Sequence, residues 1–312
     1  MISMTPMERG SWGSFIFRSS IRALPRALDD FLPAIHKGPP GRWKVGKVAR
    51  FAKVCIGWTC SLLGLYRFLL GDRALVVALH RVLPGASDES MTLPAPLFDA
   101  FCRFFKKHFQ VVPLGEIVGK LERGESFRRE MAITFDDGYA DAIEVAAPIL
   151  EAHGLTATVF LVSGFVGTRT TPWWDKQSGR VHAFMDWDQA RAMQDKGFTM
   201  GAHTRTHQDL GKIGGREAEE ELRLSRDELQ AGLGRVVDQF AYPYGYPEHM
   251  SEENRLLVAQ AGYRCCCGYG DFVESGSDPF RLERLPVSIW YSSPAHFGGD
   301  LAVRAIRKRL GK

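Results

Sequence analysis

Residues able to bind a metal or to move a proton stand directly after apolar runs of the sequence. His80 follows the run ALVVAL, and Asp136 and Asp137 follow MAITF. His203 follows FTMGA, and His207 comes four residues later. Two imidazoles with one carboxylate form a three-ligand site that leaves a coordination position open, as catalytic rather than structural metal sites do.

This ligand set also indicates which metal and which reaction to expect. Imidazole together with carboxylate suits zinc, with cobalt, nickel and iron as alternatives. Adjacent aspartates need not share one task, because one can bind the metal while the other takes a proton from the attacking water. The residues therefore predict a metal-dependent hydrolase.

The elements that must position these residues alternate between apolar strands and amphipathic helices. Continuous apolar strands separated by helices indicate a parallel sheet covered by helices. About eight strands without an early glycine-rich phosphate loop favour an α/β fold of the (β/α) barrel type over a dinucleotide-binding fold. Strands are predicted at 74–79, 110–113, 131–135, 156–162, 198–202, 237–242, 263–267 and 284–288, and helices at 96–109, 115–124, 140–154, 188–197, 216–232 and 251–262.

The barrel prediction brings the reactive residues together at one end of the fold. Taken singly, an aspartate pair in a turn is usually a cap, and a lone histidine is usually a satisfied surface or core residue. In a (β/α) barrel, however, the carboxyl ends of the strands form one face, where catalytic groups gather. His80, the pair Asp136-Asp137, His203 and the turn at Tyr244 each follow a predicted strand. Their joint placement favours a site at this mouth.

Three motifs resemble those of a known family. TFDDGY (134–139), HTRTH (203–207) and FAYPYG (240–245) are similar in order and spacing to the first three motifs of the polysaccharide deacetylases. This is the NodB-homology family, or carbohydrate esterase family 4, and the resemblance extends over about 74–290. It implies a distorted (β/α) barrel, a divalent metal, with zinc expected before other metals, and an acetylated glycan as substrate.

The resemblance also implies a role for each matching residue. Asp136 corresponds to the general base, and Asp137, His203 and His207 correspond to the metal ligands. The backbone N–H of Tyr244 corresponds to the donor that stabilises the oxyanion of the tetrahedral intermediate.

Two positions depart from the usual family pattern. The Leu-x-His motif that supplies the general acid near the C-terminus has no convincing counterpart at 284–297. The run VALHRV (77–82) instead resembles the start of circularly permuted, exopolysaccharide-biosynthesis members, so the acid is assigned to His80. Ala241 stands where the third motif usually has the Arg that orients the base. We expect Arg284 to replace it, with a surface or rim charge as the alternative.

Aromatic residues near the expected mouth are candidates for binding sugar rings. Trp173 and Trp174 lie on a predicted loop after the strand TATVFLV, where the alternative is a hydrophobic plug; Tyr246 is a further candidate. The predicted reaction is removal of N-acetyl groups from an N-acetylhexosamine-containing glycan in exopolysaccharide or cell-surface polysaccharide biosynthesis. Alternatives are an O-acetyl carbohydrate esterase, a hydrolase of small amides and a membrane-associated, glycan-binding pseudoenzyme.

Length and composition limit the classes of protein to which the chain can belong. The chain has 312 residues, of which 45% are hydrophobic and 24% charged, typical of a soluble globular protein rather than a disordered or polytopic membrane one. Lys and Arg outnumber Asp and Glu by only 40 to 36, so no nucleic-acid partner is expected. Three of the six cysteines are consecutive, at 265–267, which favours buried strand residues in a reducing compartment over a disulfide framework.

The basic residues concentrate at the N-terminus. Residues 1–53 hold ten Lys and Arg against three Asp and Glu. We predict an extension at 1–72 before a polysaccharide deacetylase domain at 73–312. Within the extension, the apolar segment 54–71 is interrupted by Arg67, and its uninterrupted part is shorter than the roughly 20 residues of a spanning helix. A helix in a membrane interface, a helix packed on the following domain and a membrane span are the alternatives.

The same region bears on the location of the protein. Arg18, Arg22 and Arg26 interrupt each apolar stretch of residues 1–35, so no cleavable signal peptide is recognised. The expected location is cytoplasmic, peripheral on the inner face of the plasma membrane if the basic ends bind anionic lipid. A lipid-linked oligosaccharide would then be a suitable substrate.

Overall fold

The computed structural model describes residues 46–85, 89 and 91–311. The strands are β1 (Arg73–Leu79), β2 (Arg81–Leu83), β3 (Thr92–Pro94), β4 (Gln110–Val111), β5 (Glu130–Phe135), β6 (Thr158–Leu161), β7 (Thr199–Ala202), β8 (Gln239–Ala241), β9 (Cys265–Tyr269), β10 (Val273–Glu274) and β11 (Leu282–Pro286). The α-helices are α1 (Lys47–Leu63), α2 (Tyr66–Leu70), α3 (Ala95–His108), α4 (Leu114–Glu122), α5 (Ala147–His153), α6 (Trp173–Ser178), α7 (Trp187–Asp195), α8 (Gly215–Leu233), α9 (Glu252–Gln260) and α10 (Pro294–Arg309). A π-helical turn, Ala142–Ala146, leads into α5.

Seven parallel strands close into a barrel in the order β1-β11-β9-β8-β7-β6-β5. Strand β1 pairs with β11 on one side and with β5 on the other, and these two pairings close the ring. The predicted (β/α) barrel is confirmed, with one strand fewer than expected in the ring. The run predicted as a strand at 110–113 forms only the two-residue β4, which pairs with β5 outside the ring.

Alternation of side chains along the strands separates two cores. In β1, Leu75 and Val77 belong to the cluster that packs under the surrounding helices, whereas Ala74 and Val76 belong to a second cluster inside the barrel. The second cluster also contains Cys265 and Cys267 of β9, whose small side chains suit the confined interior. The predicted burial of the cysteine run is therefore confirmed, and all six cysteines are free.

The register of the strands sets the reactive residues level with one another. Leu79 of β1 pairs with Phe135 of β5, so the residues that follow, His80 and Asp136, leave neighbouring strand ends. The ladder continues one step further, because the N–H of Asp136 donates to the carbonyl oxygen of Leu79. Parallel strands thus deliver their C-terminal residues to one mouth.

The apolar segment predicted as one helix at 54–71 forms the end of α1 and all of α2, with a break at Gly64. Gly64 has a φ of 62°, which favours glycine and ends the first helix. From Lys53 onward this segment packs on the barrel unit: Lys53 forms a buried ion pair with Asp300 of α10, and Tyr66 is buried against Phe104. Among the described helices, none is both long enough and apolar enough to cross a membrane.

Candidate active site

Asp137, His203 and His207 converge at the mouth of the barrel. The Nε2 atom of His203 lies 3.6 Å from Asp137 Oδ1, and that of His207 lies 3.3 Å from the same oxygen. One potential ligand atom from each residue lies within 4.8 Å of the other two. Asp137 follows β5 and the histidines follow β7, so two nearby strands supply the whole set.

The protonation of His203 suits metal binding. Its Nδ1 lies 2.8 Å from the carbonyl oxygen of Ala241, an acceptor only, so the proton resides on Nδ1 and the lone pair on Nε2 faces Asp137. Burial lowers the pKa of His203 to about 4, which keeps the ring neutral at pH 7.

Asp137 gives an independent test of whether these residues fit a cation. Its Oδ1 is buried, yet it accepts no hydrogen bond from any residue that the structure describes. Burial acts to raise the pKa of this carboxyl, but the neighbouring His207 more than offsets that and holds the pKa below its ordinary value. A buried, ionised oxygen facing two imidazole nitrogens matches the ligand set of zinc and similar divalent metals.

The backbone of the motif loops is held in conformations that are costly for ordinary residues. Asp137, Thr204, His207 and Tyr244 all have φ between 61° and 73°, in the left-handed region. Each such residue costs of order 1–3 kcal/mol, so the surrounding structure must fix it. Gly138 follows with a φ of 80°, and a Cβ there would lie 2.7 Å from Leu161 Cδ2, so this turn requires glycine.

Asp136 is the second carboxylate of the site, and it is paired with an arginine. Arg284 Nη1 donates to its Oδ1 at 2.7 Å, and Arg284 Nη2 donates to its Oδ2 at 2.9 Å. Both side chains are buried. Burial acts to raise the pKa of Asp136, but the charge of the Arg284 guanidinium outweighs it and holds the pKa below its usual range. Asp136 is therefore ionised and fixed in orientation.

Arg284 comes from the middle of β11 and enters the barrel, where several groups hold it. It donates to Thr134 Oγ1 at 3.1 Å, and its guanidinium lies against the rings of Phe160 and Tyr269. Arg284 of β11 thus supplies the arginine that the third motif lacks at Ala241. Because Arg284 is buried, it is not a charge of the rim or surface.

His80 follows β1, between β5 and β11, and lies next to a tyrosine that the sequence analysis did not single out. Its Nε2 is 3.4 Å from the hydroxyl oxygen of Tyr269. The predicted strand ended at Cys267, but β9 continues to Tyr269, which pairs in register with Arg284. A strand predicted to end two residues later would have placed Tyr269 at the mouth.

Tyr244 contributes both backbone and ring to the site. Among the described residues its backbone N–H has no hydrogen-bond acceptor, which leaves it available to a ligand. Its ring packs edge-on against His207, with 5.2 Å between centroids. Tyr246 packs on Tyr269 at 5.2 Å, so it also belongs to the wall of the mouth.

The two tryptophans of α6 have different surroundings. The ring of Trp174 lies 4.5 Å from that of His207, and its Nε1 donates to the hydroxyl of Tyr139 at 2.7 Å. Trp173 is 59% exposed. The structure therefore places Trp174 beside a metal-ligand candidate and Trp173 at the surface, on a short helix where a loop was predicted.

A polar network holds α6 in this place. The hydroxyl of Tyr139 donates to Asp175 Oδ2 at 3.2 Å, and Asp175 Oδ1 lies 3.6 Å from Arg81 Nη1. Arg81 also stacks on the Tyr139 ring. Arg81 directly follows His80, so this network connects Trp174 to the segment that carries the candidate acid.

Comparison with known proteins agrees with this fold. Residues 123–266 match the family model described as polysaccharide deacetylase. The polysaccharide deacetylase candidate YxkH of Bacillus subtilis (strain 168) is 26% identical over 168 residues, or 52% of this chain. That match spans 53% of YxkH, about half the length of this curated relative.

Solved structures share the barrel. IcaB from Ammonifex degensii has a TM-score of 0.62 at 20% identity, with 74% of this chain and 97% of that chain covered. The Streptococcus pyogenes deacetylase PplD, solved with acetate, has a TM-score of 0.61 at 20% identity and covers 72% and 96%. A de-N-acetylase from Aggregatibacter actinomycetemcomitans has a TM-score of 0.59 at 22% identity and covers 70% and 95%.

These likenesses define the class of the fold, a distorted (β/α) barrel of the NodB type. Over residues 123–266 the chain is similar to the polysaccharide deacetylase family. The matched segment contains Asp136, the three metal-ligand candidates and Tyr244, whereas His80 and Arg284 lie outside it on either side.

Proposed function

We propose that this protein is a metal-dependent deacetylase that removes N-acetyl groups from an N-acetylhexosamine-containing glycan. The observation that carries the proposal is the pairing of Asp136 with Arg284 beside the cluster of Asp137, His203 and His207. One carboxylate is thereby kept out of the metal-ligand cluster, ionised and oriented, as a general base must be.

The chain's own residues divide the chemistry between them. Asp137, His203 and His207 would hold a divalent metal, which would supply Lewis-acid chemistry to the acetyl carbonyl and to water. Asp136 takes the proton of the attacking water, while Arg284 keeps its carboxylate turned toward the mouth. The backbone N–H of Tyr244 donates to the carbonyl oxygen as negative charge develops on it.

His80 supports amide rather than ester hydrolysis. An amine leaves well only when its nitrogen is protonated, whereas the alkoxide of an ester leaves more easily without an acid. His80 follows β1, which lies between β11, the strand that carries Arg284, and β5, the strand that leads to Asp136; Tyr269 lies beside His80. We assign to His80 the proton that the departing amine receives, as in the circularly permuted members of the family.

The natural glycan is argued from weaker observations. Trp173, Trp174 and Tyr246 are aromatic residues beside the mouth and suit the faces of sugar rings, although Trp174 also packs on His207. A role in exopolysaccharide biosynthesis, a lipid-linked substrate, a cytoplasmic location and zinc as the native metal stay predictions from the sequence.

Acetate release from N-acetylglucosamine oligomers by the purified full chain tests the proposal. The Asp136→Asn variant should lose at least about a hundredfold in turnover, the contribution of a general base, while retaining its metal. His80→Gln should lose activity on the amide substrate but keep most of it on an O-acetyl ester.

The matched control is Asp188→Asn, since Asp188 is an exposed carboxylate on α7. It should behave as wild type. Loss of metal in Asp136→Asn would contradict the division of labour between the two aspartates. Equal losses on amide and ester in His80→Gln would contradict the role of His80, and no acetate release from any N-acetylated glycan would contradict the proposed function itself.

A further inference from the structure

Helix α1 is oriented opposite to an ordinary surface helix. A helix on a soluble domain buries its large apolar side chains and exposes its polar ones. From Lys53 onward, α1 instead turns Lys53, Gly57 and Cys60 toward the barrel unit. Trp58 is 59% exposed and Leu62 is 76% exposed.

This orientation is fixed by the packing of α1 on α10. Lys53 is paired with Asp300, which also accepts from Tyr291 and Arg304. A Cβ on Gly57 would overlap the backbone of Ala295, so the two helix backbones are in direct contact. The helix cannot rotate to hide its apolar side chains without breaking a buried ion pair.

Exposed apolar residues continue along the chain from α1 into α2, after the break at Gly64. We call this set the outer face; it consists of Trp58, Leu62, Leu63 and Phe68, and Leu63 and Phe68 are 64% and 48% exposed. Scattered single apolar residues on a surface are ordinary, but several large ones on two consecutive short helices indicate an interaction site.

Basic residues flank the outer face, although Lys308 also lies 3.9 Å from Glu274. Residues 46–71 contain no Asp or Glu. Arg67 is exposed and lies over the ring of Phe68. The last turn of α10 adds Arg307, Lys308 and Arg309, and Arg309 donates to the carbonyl oxygen of Phe68.

We propose that the outer face docks on an anionic membrane surface. Aromatic and aliphatic side chains enter the boundary between headgroups and acyl chains, while the surrounding Arg and Lys meet the negative headgroups. A second copy of the chain fits the face less well, because like charges would then oppose one another. None of these residues belongs to the candidate active site, so the inference is independent of the proposed function.

Vesicle binding by the purified full chain tests the inference. Wild type should co-sediment with vesicles of phosphatidylcholine and phosphatidylglycerol in equal parts, and at least about tenfold more weakly with phosphatidylcholine alone. Leu62→Glu should weaken binding to the mixed vesicles by about tenfold or more. The matched control is Leu256→Glu on α9, since Leu256 is 62% exposed but lies away from the outer face; it should bind as wild type does.

Two further measurements keep the outcome decisive. Acetate release from soluble oligomers should be the same in wild type and Leu62→Glu, which separates a failure of docking from a failure of the proposed function. If Leu62→Glu does not fold, Arg67→Glu, which reverses one exposed charge, takes its place and should also weaken binding. Wild type that ignores anionic vesicles, or a wild-type dimer that Leu62→Glu dissociates without any vesicle binding, would overturn the inference.

Discussion

Arg284 is buried together with the carboxylate that it orients. Its guanidinium lies between the rings of Phe160 and Tyr269, and both of its terminal nitrogens bind Asp136. A buried carboxylate without such a partner would take up a proton, because burial disfavours the charged form. The arginine therefore decides both the charge and the direction of the proposed base.

Replacing Arg284 with Met should change the pH dependence of the reaction. Without the guanidinium, burial acts unopposed by its charge, so the pKa of Asp136 rises. Less of the base is then ionised in mild acid. The acid limb of the kcat/KM profile should move to higher pH, and the rate near pH 7 should fall at least about tenfold.

The control for this change is Arg281→Met, three residues upstream and exposed. Its profile should coincide with that of wild type. An acid limb that stays in place in a folded Arg284→Met protein with its metal content intact would show that Asp136 is not the titrating base.

Residue identities at this site were predictable only where a motif carried them. Asp136, Asp137, His203 and His207 were predicted from their positions after apolar strands and from motifs that resemble those of the polysaccharide deacetylases. The sequence left Arg284 undecided, because an arginine within a strand does not reveal which way its side chain points. The direction of the Arg284 side chain depends on the register of β11 with its neighbouring strands, which is a tertiary property.

At the scale of elements, the crossing of α1 and α10 depends on small residues. Gly57 faces Ala295, and Gly299 faces the backbone of Lys53. In an isolated helix, Ala is more stable than Gly by about 1 kcal/mol. Gly57→Ala should nevertheless lower the free energy of unfolding by about 1–3 kcal/mol, because its Cβ overlaps backbone that cannot move aside.

Thermal unfolding of the full chain followed by circular dichroism measures this effect as a lower melting temperature. Gly215→Ala at the start of α8 is the matched control, since its Cβ would meet only the end of the Glu253 side chain, at 3.0 Å. That variant should be neutral or slightly stabilised. A melting temperature for Gly57→Ala at or above that of wild type would contradict the close packing of the two helices.

Helices with strong apolar periodicity were predicted and others were not. The predicted helix at 216–232 lies within α8, and the one at 96–109 matches α3 within a residue. Helix α6 is only six residues long, too short for a periodic pattern, and its Pro-Trp-Trp start resembles a loop. No helix was predicted over α10, where Gly298 and Gly299 oppose helix formation locally. Only tertiary contacts explain them, because Gly298 faces Tyr66 of α2 and Gly299 faces the backbone of Lys53 in α1.

At the scale of the whole molecule, the closure of the barrel assembles the site from distant parts of the chain. Strand β1 inserts between β5 and β11, so His80 follows a strand whose two neighbours lead to Asp136 and carry Arg284. The alternation of strands and helices predicted a barrel and its reactive mouth. It could not predict that the ring closes with seven strands, because the exclusion of β4 depends on its length in the folded chain.

We propose that Asp137, His203 and His207, brought together by the whole assembly, hold the one divalent metal that activity requires. The most direct test of this claim is acetate release from N-acetylglucosamine oligomers by the chelator-stripped full chain as zinc is added back. We expect stripping to abolish release, and activity to return in proportion to zinc until one equivalent is bound, with His207→Ala neither binding zinc tightly nor recovering. Undiminished acetate release from the stripped protein, or full recovery in His207→Ala at the same zinc concentration, would contradict the claim.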